Sequence, residues 1–159
     1  MPRKTTVKLQ RHLSPDRKYQ SVLVQRLINK SMLNGKKQVA EKAVYGALEK
    51  AAKKIGSEDP LAVFEKALKN VSPNFEVKSR RVGGANYQIP FPVSGHRQLH
   101  YAFSWLVQSA RDRKGMSYED RLSLEIIDAY NEAGAAFKKK EDTHRMAEAN
   151  RAFAHFARS

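Results

Sequence analysis

Two prolines placed two residues apart, Pro90 and Pro92, close a segment that alternates from Phe75 to Val93 about Gly83-Gly84. The alternation and the central glycines predict a β-hairpin. Residues two apart on a strand present their amide positions to the same edge, so the two missing N–H groups leave that edge unable to pair with a third strand. The hairpin is therefore expected to be an isolated two-stranded ribbon, hairpin 75–93. A lone ribbon is marginal in water, so its root must pack on other elements. Two registers are possible. A two-residue loop sets Val82 opposite Ala85, Lys78 beside Ile89 and Arg80 beside Tyr87. A three-residue loop, Gly83 to Ala85, gathers Phe75, Val77, Tyr87, Ile89, Phe91 and Val93 on one face and Lys78, Arg80 and Gln88 on the other. The second separates polar from apolar side chains and is the expectation. Phe75, Val77, Phe91 and Val93 are then the apolar base, and the basic face is left for a partner.

The rest of the chain has helical spacing. Val22, Leu23, Leu27 and Ile28 form a stripe that stops near Asn34-Gly35. Val39, Ala43, Ala47, Ala51 and Ile55 step by four beside Ala40, Val44, Leu48 and Ala52, and side chains this small let a neighbouring helix approach closely. Asp59-Pro60 supplies a cap and a first-turn proline ahead of Val63, Phe64, Ala67, Leu68 and Val71. After the ribbon, helices resume near His96 with Leu99, Phe103, Val107, Ala102, Leu106 and Ala110. Tyr101 and Trp105 lie on another face of that helix, suited to core or interface. Ser117 caps a helix with Leu122, Ile126, Ile127 and Tyr130 inward. Gly134 separates it from a last helix carrying Phe137, Met146, Ala149, Phe153 and Phe156. The fold class is mainly α: one helical domain of about six helices, residues 19–159, with a protruding two-stranded β-hairpin and a basic arm over residues 1–18.

Charge decides what such a fold is for. The 159 residues carry 30 Lys and Arg against 16 Asp and Glu, a net +14. The excess is uneven: residues 1–34 hold eight basic side chains and one acid, while 98–134 are slightly acidic. A surface built for solubility alone mixes the signs, so this distribution implies a polyanion gripped at separated points. There is no cysteine, which excludes a disulfide frame, thiolate zinc and a cysteine nucleophile. No apolar run reaches the about 20 residues of a membrane helix.

Catalytic and metal signatures fail one by one. Asn34-Gly35-Lys36-Lys37 lacks the earlier glycine of a phosphate loop, since residue 30 is Lys. Gly83-Gly84 lies at a hairpin tip, not between strand and helix. His96 and His100 have ligand spacing but no third ligand. The pairs Glu58-Asp59, Glu119-Asp120 and Glu141-Asp142 are read as helix starts, where the dipole explains them. No enzyme, no cofactor, no metal site and no small-molecule substrate are expected. The arm's composition alone leaves open a mitochondrial presequence or a disordered tail.

Two long motifs carry a resemblance. Val77-Lys78-Ser79-Arg80-Arg81-Val82-Gly83-Gly84, followed by Tyr87-Gln88 and Pro90, closely resembles the hairpin of the small-subunit ribosomal protein seven family. Residues 138–155, from Lys138-Lys139-Lys140 through Arg145 to Asn150-Arg151 and His155, look like that family's C-terminal motif. Met1-Pro2-Arg3, Gly35-Lys36-Lys37 and Ala40-Glu41 are similar as well, so the likeness runs from Pro2 to about Phe156. It departs at Ser94-Gly95-His96, where the family has a more basic run.

The resemblance implies a primary binder of small-subunit ribosomal RNA that nucleates assembly of the subunit head, bacterial in type and in the cytoplasm, with an organelle-encoded member as the alternative. It implies exit-site tRNA, mRNA and small-subunit ribosomal proteins nine and eleven as neighbours. By carry-over, Arg3, Lys4, Lys8, Arg11, Lys36, Lys37, Lys78, Arg80, Arg81, Arg97, Arg111, Arg113, Lys114, Lys138, Lys139, Lys140 and Arg145 contact ribosomal RNA. Gly83, Gly84, Asn86, Arg145, Asn150 and Arg151 lie near tRNA and mRNA. A match that begins at Pro2 makes the arm an extension that orders on RNA rather than a presequence. Spread cations with few base-reading side chains suit A-form RNA. Two rivals remain. One is an architectural DNA-binding protein with a β-ribbon arm, which would favour a proline at the ribbon tip. The other is a protein-interaction module using the Tyr101–Trp105 face.

Overall fold

A computed structural model describes residues 13–157. Six α-helices and one hairpin follow in the expected order: α1 Val22–Ser31, α2 Lys37–Ile55, α3 Pro60–Val71, β1 Phe75–Val82, β2 Ala85–Pro92, α4 Gly95–Asp112, α5 Tyr118–Tyr130 and α6 Gly134–Ala149. A 3-10 helix, Arg151–Ala157, ends the described chain. What was expected as one last helix is thus two segments, broken after Asn150. No helix among the described residues is long and apolar enough to cross a membrane.

The core is a helical body with α5 at its centre, against α2, α3, α4 and α6. Leu122, Ile126 and Ala129 of α5 meet Val44, Ala47, Leu48 and Ala51 of α2, Phe64 of α3 and Leu106 of α4, all buried. The alanine row on α2 does what its spacing predicts and lets α5 close in. A Cβ at Gly46 would lie 2.4 Å from the Glu119 carboxylate of α5. Three inward faces are rotated from their expected place. Val39 is 67% exposed, Val22 gives way to Val24 in α1, and α6 buries Ala136 and Ala147 while Met146 is half exposed.

The ribbon is two-stranded, but its register corrects the expectation. Val82 pairs with Ala85, Arg80 with Tyr87, Lys78 with Ile89 and Glu76 with Phe91. Gly83 and Gly84 have φ of +57° and +91°, the two left-handed residues a type I′ two-residue turn requires. Polarity segregation misled because the cations are not all solvated. Lys78 lays its ammonium 4.9 Å from the Phe91 ring centre and 2.8 Å from the buried Glu76 carboxylate. Ile89 and Val93 are the buried apolar anchors; Phe75 is 47% exposed and meets only the edge of His144. The Val93 amide donates to the Asn74 carbonyl at 2.9 Å. Odd-numbered amides of β2 therefore point at β1, and Pro90 and Pro92 fall on the outer edge.

Helix starts also depart from the sequence reading at the C-terminal end. Gly134 (φ +88°) begins α6 rather than preceding it, so Lys138-Lys139-Lys140 sit in the second turn and Glu141-Asp142 lie mid-helix. The reason is a remote cap. Glu125, fully buried in α5, accepts the Ala136 amide at 2.8 Å and satisfies one N–H that a helix start otherwise leaves open.

Candidate nucleic-acid interface

Asp16 ties the arm to the body. Asp16 is buried, and its carboxylate accepts the backbone amides of Lys18, Tyr19 and Ser21 at 2.8–2.9 Å and the Tyr45 hydroxyl at 3.1 Å. Burial pushes this carboxyl up, but the amides of Tyr19, Ser21 and Lys18 and the Tyr45 hydroxyl outweigh it and leave it below its ordinary range. Residues 17–19 turn about this point, which sets the chain against α1 and α2.

Two clefts open on either side of α1, and Leu13 and Asn29 border both. The larger, about 870 Å³, lies between the residues before α1, α1 itself and the start of α2. Its cations are Arg17, Lys36 and Lys37. The second, about 450 Å³, lies between α1 and α4, with Arg26 and Lys30 facing His96 and His100 over Leu99 and Phe103. The helices that begin here are uncapped: neither Lys36 before α2 nor Ser94 before α4 makes a side-chain capping bond. Each start brings the positive end of a helix dipole. The groove around α1 thus joins fixed cations, dipole ends and imidazoles, an arrangement that recognises phosphate.

The sequence-derived residues distribute over three places. Lys36 and Lys37 line the first cleft. Arg3, Lys4, Lys8 and Arg11 lie outside the described residues. The ribbon carries Lys78, Arg80 and Arg81 along β1, and its tip exposes Gly83, Gly84 and Asn86. At the C-terminal end, Lys138 and Arg145 are exposed, and Lys139 is half-buried. Asn150 and Arg151 mark the junction with the 3-10 helix. Lys114 is exposed after α4.

Several of these cations already hold protein groups. Arg97 bonds Glu76 through Nε at 2.6 Å and Tyr101 through Nη2 at 2.9 Å. Arg111 donates to the Ser31 carbonyl at 3.2 Å and Lys140 to the Asn70 carbonyl at 2.7 Å. Arg113 makes two bonds to Glu125, at 2.9 and 2.7 Å, and an ion pair with Asp128. Arg80 donates to the Phe156 carbonyl at 3.2 Å, which joins the ribbon to the chain end. There Tyr87 meets Phe153 and Phe156 with ring centres 5.1 and 5.5 Å apart.

Glu76 organises the ribbon root. Burial pushes its carboxyl up, yet bonds from Lys78, Tyr101 and Arg97 hold it at about 2. Tyr101 donates to it at 2.5 Å and stacks on Trp105 with ring centres 5.4 Å apart. Both rings of the suspected interaction face are therefore engaged within the fold.

Sequence reasoning passed over Arg17, Arg26 and Lys30. The signal was present for the last two: with Asn29 they occupy the face of α1 opposite Val24, Leu27 and Ile28, which a helical projection separates. Nothing in the sequence said that α4 would lie across that face.

A family model for ribosomal protein S7p/S5e matches residues 2–151. The chain is 55% identical over 156 residues to the small ribosomal subunit protein uS7 of Dictyoglomus turgidum, covering 98% of this chain and 99% of that protein. With the uS7 proteins of Dictyoglomus thermophilum and Thermomicrobium roseum the identities are 56% and 54% over the same shares. With hairpin, basic groove and C-terminal motif all falling inside one end-to-end match, the chain belongs to the ribosomal protein S7p/S5e family.

Proposed function

We propose that this protein binds small-subunit ribosomal RNA through the groove around α1, and that this grip organises the RNA of the subunit head. The family's role is structural and ribosomal rather than catalytic. The observation that carries the finer reading is the pair of clefts sharing Leu13 and Asn29, with Arg17, Lys36 and Lys37 on one side and Arg26 and Lys30 on the other. Cations spread along a groove suit an RNA surface read through phosphate and 2′-hydroxyl groups. A second contact runs along Arg80, Arg81, Lys138 and Arg145. The ribbon tip and the Asn150–Arg151 junction, joined through Arg80 and Phe156, would then face exit-site tRNA and the mRNA path. Small-subunit ribosomal proteins nine and eleven would be neighbours in the head, in a bacterial cytoplasm.

Binding of the protein to a head-RNA fragment across a salt series tests this. Each phosphate contact adds roughly 0.7–0.9 to the slope of log affinity against log salt. Removing residues 1–11 takes away Arg3, Lys4, Lys8 and Arg11 and makes the slope shallower by up to about three. An unchanged slope removes the arm from the interface. Equal affinity for duplex DNA returns the architectural DNA reading, against which the tip already counts, since it is Gly83-Gly84 and the prolines lie at the base. Shortening the loop from Arg81 to Asn86 is expected to spare head-RNA affinity and to raise frameshifting. Lost affinity with normal frame maintenance would place the tip in assembly instead.

A further inference from the structure

We propose that the cleft between α1 and α4 is a proton-coupled phosphate seat, in which His96 and His100 join Arg26 and Lys30 as positive charges once RNA is bound. The inference rests on the RNA-binding reading above and assigns a regulation to one part of that surface.

His96 and His100 are one turn apart on α4, both exposed, and both line the cleft opposite Arg26 and Lys30. The floor between them is apolar, Leu99 and Phe103. Among the described residues neither imidazole is held by a hydrogen bond or an ion pair. Among the described residues no carboxylate lines the cleft. Glu76 of β1, at this end of α4, is taken by Lys78, Arg97 and Tyr101. On α4 itself the charged and titratable neighbours are Arg97, turned to Glu76, and Tyr101, whose ring meets His100 edge-on at 6.0 Å. The remaining charges facing the two imidazoles, from α1, are positive. The α4 start adds its dipole, with Ser94 leaving the first turn without a side-chain cap.

That environment gives protonation a direction. Arg26 and Lys30 across the cleft are two fixed positive charges with no counter-charge among the described residues. A phosphate seated among the four groups supplies that counter-charge, and each added proton completes a charge-assisted hydrogen bond. RNA binding then takes up as many as two protons. Histidine is the side chain that changes charge between pH 5 and 8, so affinity added by protonation is present at the acid end of that window and is lost as pH rises through it. A divalent metal on the same pair is disfavoured by Arg26 and Lys30, and no third ligand completes a site among the described residues.

The test measures affinity for a head-RNA fragment at pH 6 and pH 8 and about 0.15 M salt, with wild type, H96Q/H100Q and H96R/H100R. Both variants change the same two exposed positions on one helix face, and circular dichroism verifies the fold. Wild type is expected to bind on the order of tenfold tighter at pH 6, with a salt slope steeper by roughly one to two. H96Q/H100Q loses that difference. H96R/H100R binds tightly at both values. His12, His144 and His155 remain in every variant, so a pH effect that survives in H96Q/H100Q overturns the proposal. So does a wild type equally tight at both values, which leaves the RNA reading standing. Absence of binding by all three proteins at either pH defeats the RNA reading and, with it, this inference.

Discussion

Helix starts on the two sides of the molecule are built from opposite chemistry. Away from the groove, Asp59 caps α3 through a 2.8 Å bond from the Leu61 amide, Ser117 caps α5 with Glu119 and Asp120 in its first turn, and buried Glu125 caps α6. Facing the groove, α2 and α4 begin without a side-chain cap and with cations or imidazoles in or beside the first turn. Cations at a helix start cost a few tenths of a kcal/mol to about 1 each. The body therefore satisfies the ends it uses for its own stability and leaves electropositive the ends that border the groove. Stability and binding should separate along this line.

The largest effect is expected on the capped side. Glu125→Ala removes the α6 cap and leaves Arg113 with Asp128 alone, at a cost of about 3 kcal/mol in urea unfolding. A loss under 1 kcal/mol would mean that α6 holds its place by packing only. On the open side, Lys36→Gln with Lys37→Gln should weaken head-RNA binding on the order of 20-fold near 0.15 M salt and flatten the salt slope by up to about 1.8. Its melting temperature should stay level or rise slightly. A fall in stability there would erase the comparison.

Glu76 sharpens it, as an acid near an open start that serves the fold. Held at about 2 against an ordinary 4.5, it contributes stability that is complete above about 4.5 and lost as pH falls toward 2. Lys78 and Arg97 are half exposed, so screening reduces this to about 1–2 kcal/mol. Glu76→Gln should be less stable by that amount at neutral pH, and the gap should close near pH 2. Asp59→Ala should cost about 1 kcal/mol and leave RNA affinity unchanged. The smallest effect is at Gly46. Alanine there displaces the Glu119 carboxylate, the mobile end of a side chain, from its pairing with Lys50, which keeps Asp120. Improved helix propensity outweighs that loss, and thermal unfolding should show a gain of about 0.5 kcal/mol.

Local rules found most of the helices because their signals are local: Asp59-Pro60, Ser117, Asn34-Gly35 and the alanine row each act within a turn or two. What depends on distant partners was not legible. The ribbon register turned on whether Lys78 faces water or Glu76, and Glu76 is buried by α4, whose placement no strand pattern contains. The α6 start turned on Glu125, nine residues upstream of Gly134. Of the candidate cations several hold carbonyls or carboxylates; a helical projection sets Arg26 and Lys30 on the outer face of α1, but only the placement of α4 across that face forms the cleft they line.

The contact of Tyr87 and Arg80 with Phe153 and Phe156 has a mechanical consequence. A ribbon fixed at its root is a cantilever, and its end-load stiffness grows as the inverse cube of the free length. From the Lys78–Ile89 pair on the body to the Val82–Ala85 pair is four residue steps, about 13 Å; from the braced Arg80–Tyr87 pair it is two, about 7 Å. Halving the overhang stiffens the tip roughly eightfold in the beam limit, with no strand added. Phe153 and Phe156 act as a strut, and losing them would widen the arc swept by Gly83-Gly84 without unfolding α1 to α6.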